Sequence, residues 1–135
     1  MTLDNAETVR RGYEAMNRRD FEAAAEGIHP DVEWSDPPEM PEVRTVKGVE
    51  AVKEVWAQNL EPFDKFRFET LEFIDRGDVS FHAIKLTGTG RTSGAPVEMV
   101  WFQVTHNDAE GLAVRLENYL DRERAREAAG LPAPD

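Results

Sequence analysis

The stretch "DVEWSDPPEMPEVRTVKG" holds a carboxylate that is placed to do chemistry. Val32, Trp34 and Asp36 alternate along the chain, so we predict that they share the buried face of a strand. Pro37 restricts Asp36 to an extended backbone, which keeps its side chain beside Trp34. There, exclusion of water would raise the pKa of Asp36 and make it a proton acceptor. Alternatively, Asp36 accepts hydrogen bonds from loop amides and fixes the proline-rich turn.

His82 is the second candidate for acid or base chemistry. It alternates in phase with Ser80 and Leu86, whereas Lys85 and Thr87 occupy the other phase and are typical of a solvated face. We therefore expect His82 to face the interior as a partner for Asp36, because imidazole titrates near neutral pH. The alternative is a structural histidine that has found hydrogen-bond partners in the core.

Three helices are predicted before the main sheet. Asp4 and Glu7 have the spacing of a capping box at the start of the first helix, and Asp20 can cap a short second helix. After the proline-rich loop, the apolar period indicates a third helix. The apolar residues of the first and third helices are Val9, Tyr13, Met16, Val52, Val55, Trp56 and Leu60.

The period then changes to two, which predicts four further strands. They lie near Phe66–Ile74, Val79–Gly90, Val97–Thr105 and Leu112–Leu120, with short turns between them. Sequential hairpins make the sheet mainly antiparallel. Asp121 can cap a charged terminal helix. These elements predict an α+β fold in which a curved sheet covers the first and third helices.

Composition narrows the possible partners. The 135 residues fit one domain spanning 1–135, and the net charge of −11 disfavours nucleic acid and anionic membranes as partners. The chain has no cysteine, and His29 and His106 lack ligand spacing, so we expect no metal site. "GTGRTSG" lies between two strands and does not open a helix, so no nucleotide cofactor is expected. The chain has no bilayer-spanning apolar run and no apolar signal segment near its start, which predicts a cytoplasmic protein.

Several short motifs in order resemble those of one superfamily. They are "YEAMNRRDFEAA", "HPDVEWSDPP", "VKGVEAVKEVW", "EFIDRGD", "GTGRTSG" and "ENYLDRERAREAAGL". Together they resemble the SnoaL-like branch of the nuclear-transport-factor-two-like, or ketosteroid isomerase-like, superfamily. The resemblance implies a cone-shaped, cystatin-like fold with a cavity between the sheet and the helices. It does not specify a reaction, because this superfamily includes isomerases, polyketide cyclases, dehydratases, epoxide hydrolases and non-catalytic binding proteins.

The resemblance also implies roles for individual residues. "SDPP" is similar to the "EDP" of ketosteroid isomerases, whose aspartate moves a proton beside a carbonyl, so Asp36 inherits that role. "LENYLD" places Asn118 where limonene epoxide hydrolases have their water-activating aspartate, and an amide cannot take that proton. The implied site is therefore Asp36, His82 and Asn118 in an apolar cavity. The expected wall residues are Tyr13, Met16, Trp34, Trp56, Leu60, Ile84, Phe102 and Val104.

Two expectations about function follow. The first is a cofactor-independent isomerase, cyclase or lyase with Asp36 as base, and the alternative is a non-catalytic ligand-binding or dimerisation module. The expected wall has no Arg or Lys, so a small neutral, hydrophobic ring compound should bind in preference to a nucleotide. A homodimer is expected from apolar residues in the outward phase of two strands, namely Phe81, Ala83, Val100 and Trp101.

Overall fold

A computed structural model describes residues 5–132 of the chain. Its helices are α1 (Asn5–Asn17), α2 (Phe21–Ala24), α3 (Val49–Leu60) and α4 (Arg122–Ala128), with a short 3-10 helix at Ala25–Gly27. Its strands are β1 (Ile28–Ser35), β2 (Thr45–Lys47), β3 (Phe63–Asp75), β4 (Val79–Gly90), β5 (Pro96–Asn107) and β6 (Ala113–Tyr119). The predicted α+β class is confirmed.

Most of the predicted helix signals correspond to observed caps. The Asp20 carboxylate accepts a hydrogen bond from the backbone of Ala23, and Asp121 accepts one from the backbone of Glu123. Both bonds satisfy a backbone donor in the first turn of a helix, as the cap signal predicts. Asp4, half of the predicted capping box, lies outside the described residues.

All six strands form one curved, open sheet in the order β2-β1-β6-β5-β4-β3. Strands β3 to β6 are joined by antiparallel hairpins, as predicted. Two features are additional: β2 pairs with β1, and β1 lies parallel to β6. The β1–β6 pairing brings the end of the Asp36 strand beside the last strand, which is far away in sequence.

The sheet is covered on both faces. On the concave face, α1 packs against β3 and β4, and α3 packs against β1 and β6. On the convex face, α4 and the residue that follows it pack on β4 and β5. The contacts are made by Ala125 and Ala129 with Phe81, Ala83, Phe102 and Val104. Burial of these apolar surfaces on both sides stabilises the sheet.

The helix on the convex face corrects the basis of the expected dimer. Phe81 and Ala83 are buried beneath α4, and Trp101 points to the concave side. Of the four residues, only Val100 is an exposed hydrophobic residue. The homodimer therefore stays a prediction, but the apolar patch that was expected to form its interface is not present on the surface of the described residues. Among residues 5–132, no helix is long and apolar enough to cross a membrane.

Candidate functional site

A cavity of about 830 Å³ lies between the concave sheet face and helices α1, α2 and α3. Its wall is largely aromatic and aliphatic, and all three tryptophans of the chain line it. Of the expected wall residues, the structure places five here: Tyr13, Met16, Trp34, Trp56 and Leu60. A cavity of this size and character is typical of sites for small organic ligands.

Three expected wall residues lie elsewhere. Ile84 is fully buried in the core between α1, β3 and β4, without lining the cavity. Phe102 and Val104 lie on the convex face under α4, and their neighbours Gln103 and Thr105 line the cavity instead. On β5, the phase of Phe102 and Val104 faces α4, and the phase of Trp101, Gln103 and Thr105 faces the cavity. The prediction had placed Phe102 and Val104 in the cavity and Trp101 on the outer face, which is wrong for all three.

Asp36 lies in the cavity wall at the end of β1, as predicted, and is 8% exposed. Its Oδ1 accepts a hydrogen bond from Trp34 Nε1 at 2.9 Å, and its Oδ2 accepts one from Arg44 Nε at 2.7 Å. The backbone N–H of Arg44 also donates to Oδ2 at 3.1 Å. The carboxylate therefore holds the two ends of the proline-rich loop together, which is the structural role considered as the alternative.

The expected rise in the pKa of Asp36 is not observed. Burial raises this pKa, but the side-chain hydrogen bond from Arg44 and the bond from Trp34 lower it, together with the Arg44 amide and charge, and the lowering effects prevail. Hydrogen bonds to the charged form stabilise a carboxylate as an anion. Asp36 is consequently ionised at neutral pH and is a weaker base than an ordinary aspartate.

His82 faces the cavity side of β4, as predicted, and is 2% exposed. Its Nε2 lies 2.9 Å from Ser80 Oγ and 3.3 Å from Thr105 Oγ1, and its ring packs edge-on against Phe73. Its Nδ1 is buried without a hydrogen-bond partner among the described residues. Burial lowers the pKa of His82 to about 4, so the imidazole is neutral at pH 7.

The structure does not pair His82 with Asp36. The hydrogen bonds of His82 go to the hydroxyls of Ser80 and Thr105, and those of Asp36 come from Trp34 and Arg44. The two groups belong to strands separated by β6 and β5 in the sheet.

Asn118 and Gln103 fill the space between them. They lie directly opposite each other on β6 and β5, and Gln103 is also opposite His82 on β4. Asn118 Nδ2 donates to the backbone oxygen of Ser35 at 2.9 Å, and Gln103 Nε2 donates to Asn118 Oδ1 at 3.1 Å. A row of polar side chains thus crosses the concave face. Gln103 was missed by sequence reasoning, because the sequence of β5 does not indicate which of its two phases faces the cavity.

Tyr13 adds an uncommitted hydroxyl to the wall. It packs against Phe68, and burial raises the pKa of its phenol well above the usual value. No described residue forms a hydrogen bond with this hydroxyl. Because the phenol stays protonated, it is available as a donor or acceptor for a ligand.

The cavity wall also carries charge, contrary to expectation. Arg44 lines the cavity, and besides Asp36 its guanidinium donates to Gln58 Oε1 at 3.0 Å and Asn59 Oδ1 at 3.3 Å. Arg11 is a second arginine in the wall, and it donates to Glu7 at 3.1 Å. Both arginines are already paired with carboxylates, so a negatively charged ligand would have to compete for them.

No group of three or more potential ligands among His, Cys, Asp and Glu is gathered within the part of the chain that the structure describes. His29 accepts a hydrogen bond from the backbone of Asp31, and His106 pairs with Glu117. The cavity wall combines apolar side chains and neutral hydrogen-bonding groups with Asp36, which is held by Arg44, and the acidic residues Glu26 and Glu110 also line it.

Comparisons with protein families and with curated proteins give one finding each. The family model for the SnoaL-like domain matches residues 9–116. No curated protein matches the chain in sequence.

Solved structures share the fold over nearly the whole chain. An NTF2-like protein of unknown function from Burkholderia pseudomallei K96243 is 24% identical, with a TM-score of 0.73 over 95% of this chain and 98% of that one. TerC, co-crystallised with polyporic acid, is 26% identical, with a TM-score of 0.74 over 93% of this chain and 98% of its own. The epoxide hydrolase/cyclase-like enzyme SalBIII, from a study of pyran ring formation in salinomycin, is 18% identical, with a TM-score of 0.71 over 88% and 92% of the two chains.

Proposed function

The chain belongs to the SnoaL-like domain family, and on that premise we propose that it binds a small, mostly apolar ring compound in its cavity. The observation that carries the proposal is the cavity itself, of about 830 Å³ and lined by every tryptophan of the chain. Flat aromatic walls favour flat, apolar ligands, because burial of apolar surface drives binding and ring stacking adds to it.

Two further observations support a neutral ligand. The Tyr13 hydroxyl in the wall is neutral and forms no hydrogen bond with a described residue, and the acidic residues Glu26 and Glu110 of the wall would repel an anion. The net charge of −11 and the paired state of Arg44 both disfavour an anion such as a nucleotide. TerC, which is 26% identical to this chain, was co-crystallised with polyporic acid, and this supports a small-molecule ligand for this chain.

Gly12 provides a test that separates binding from folding. It lines the cavity from α1, and a Cβ at this position would have only one neighbouring atom within 4 Å, Ala24 O at 3.9 Å. Gly12→Phe should therefore fill part of the cavity while removing a helix-destabilising glycine. Gly12→Ala is the matched control, because it makes the same change to the helix and adds only a methyl group.

The measurement is calorimetric titration with α-tetralone, a neutral bicyclic ketone, and with AMP. We expect α-tetralone to bind wild type and Gly12→Ala alike and to bind Gly12→Phe at least tenfold more weakly, with no binding of AMP. Binding of AMP without α-tetralone, or equal binding of α-tetralone by all three proteins, would contradict the proposal.

Catalysis is the second candidate function: cofactor-independent isomerisation, cyclisation or dehydration with Asp36 as the proton acceptor. The observation that favours it is the position of this carboxylate, buried in the cavity wall beside Trp34. Its lowered pKa favours the binding role instead, unless a ligand displaces the half-exposed Arg44 from it.

Asp36→Asn distinguishes the two functions once a ligand is identified. The amide oxygen can still accept from Trp34, but the residue cannot take a proton. A catalyst would keep ligand binding and lose turnover by orders of magnitude. A binding protein would keep its affinity and show no turnover in either form, measured as conversion of the bound compound by mass spectrometry.

A further inference from the structure

The hydrogen bonds of the polar row determine which end of the Gln103 amide is left for a ligand. A backbone carbonyl has only acceptor lone pairs, so the Asn118 atom that lies 2.9 Å from Ser35 O must be its nitrogen. Asn118 is 3% exposed, and its amide is held by this bond. Its oxygen is therefore directed away from Ser35 and towards Gln103.

The same reasoning applies one strand further. Asn118 Oδ1 can only accept, so the Gln103 atom 3.1 Å from it must be the nitrogen Nε2. This leaves Gln103 Oε1 as the other end of the amide. No described residue donates to Gln103 Oε1, and the side chain lines the cavity.

From this arrangement we infer that Gln103 selects the ligand by accepting a hydrogen bond from a phenolic or enolic hydroxyl. The inference rests on the proposed binding of a ring compound and adds the chemical group that the compound carries. A carbonyl or ether oxygen cannot satisfy an acceptor, whereas a hydroxyl donates to Oε1 and keeps its ring in the apolar wall. The hydroxyl is neutral, which suits a chain with net charge −11.

This selection depends on an asparagine at position 118. An aspartate there would have no N–H to donate to Ser35 O, so its orientation, and with it that of Gln103, would not be determined in this way. Asn118 is thus a positioning residue in this proposal, and Gln103 is the residue that contacts the ligand.

The test compares two probes that share a ring system: 2-naphthol, which has a hydroxyl donor, and 2-methoxynaphthalene, which has only an acceptor. Affinities are measured by calorimetry on the full chain. We expect wild type to prefer 2-naphthol by about fivefold or more, since one hydrogen bond contributes about that factor in binding. Gln103→Met, which keeps the length and removes both polar atoms, should bring the ratio of affinities close to one by weakening the binding of 2-naphthol.

Glu54→Met is the control, because Glu54 is exposed on α3, does not line the cavity and has a side chain as long as that of glutamine. The ratio of the affinities of this variant for the two probes should equal the wild-type ratio. Equal affinities of wild type for the two probes would overturn the inference and leave the proposed binding standing. Failure of both probes to bind would overturn the inference and the proposed ligand binding together. A preference for 2-naphthol that persists in Gln103→Met would overturn the assignment to Gln103. The wild-type ratio tests the inference even if Gln103→Met does not fold.

Discussion

The buried histidine makes a quantitative prediction about stability and pH. His82 has a pKa of about 4 in the folded protein because burial disfavours its charged form. In the unfolded chain its pKa is about 6.5, the ordinary value for histidine. The unfolded state therefore binds more protons between these two values, so stability is fully present above pH 6.5 and is lost as the pH falls towards 4.

The size of the effect follows from the two pKa values. A difference of about 2.5 pKa units corresponds to a maximum of about 3 kcal/mol, of which about 2.5 kcal/mol is lost between pH 7 and pH 4.5. Asp36 contributes little in this window, because its lowered pKa places its own loss of stability below the ordinary aspartate range. Glu7, Glu39 and Glu117 also have lowered pKa values, so the difference between wild type and a variant without His82, and not the wild-type loss alone, reports on His82.

The assay is urea unfolding of wild type and His82→Gln at several pH values from 7 to 4.5, followed by tryptophan fluorescence. Glutamine can still bond to Ser80 and Thr105 but does not titrate. We expect His82→Gln to be less stable at pH 7 and to lose about 2.5 kcal/mol less on acidification. Identical pH dependence in wild type and His82→Gln would refute this account.

Three other predictions concern the loop, the terminal helix and assembly. Arg44→Met should lower the free energy of unfolding by about 1 to 2 kcal/mol at pH 7, and this loss should become smaller as Asp36 is protonated at low pH. Urea unfolding at pH 7 and pH 3 tests this prediction. The control is Arg18→Met, which removes an exposed ion pair and should cost under about 0.5 kcal/mol. Ala125→Asp should destabilise by about 3 kcal/mol or more in thermal melts, because it buries a charge between α4 and the sheet, whereas Ala128→Asp, exposed at the end of the same helix, should cost about 1 kcal/mol or less. Light scattering should give the mass of a homodimer at micromolar concentration, and a monomer mass would refute that prediction.

Local sequence patterns determined the direction of several side chains that matter for the candidate site. Alternation placed Val32, Trp34 and Asp36 on one face, and the structure buries all three. The same rule placed His82 towards the cavity. These predictions hold because each depends on neighbours within a few residues: the pleat of a strand orients alternate side chains whatever the rest of the chain does.

Only the tertiary structure decided which partners these side chains meet. Strand β5 is apolar in both phases, so its sequence does not say which face is covered; α4, a remote segment, covers Phe102 and leaves Gln103 in the cavity. The role of Asp36 likewise depended on Arg44, eight residues away across a proline-rich loop. The Arg44 guanidinium donates a hydrogen bond to the Asp36 carboxylate and lowers its pKa, so this residue holds the loop as an anion and is a weaker base. Periodicity fixes the direction of a side chain, but its pKa and its hydrogen bonds depend on groups that folding brings from elsewhere in the chain.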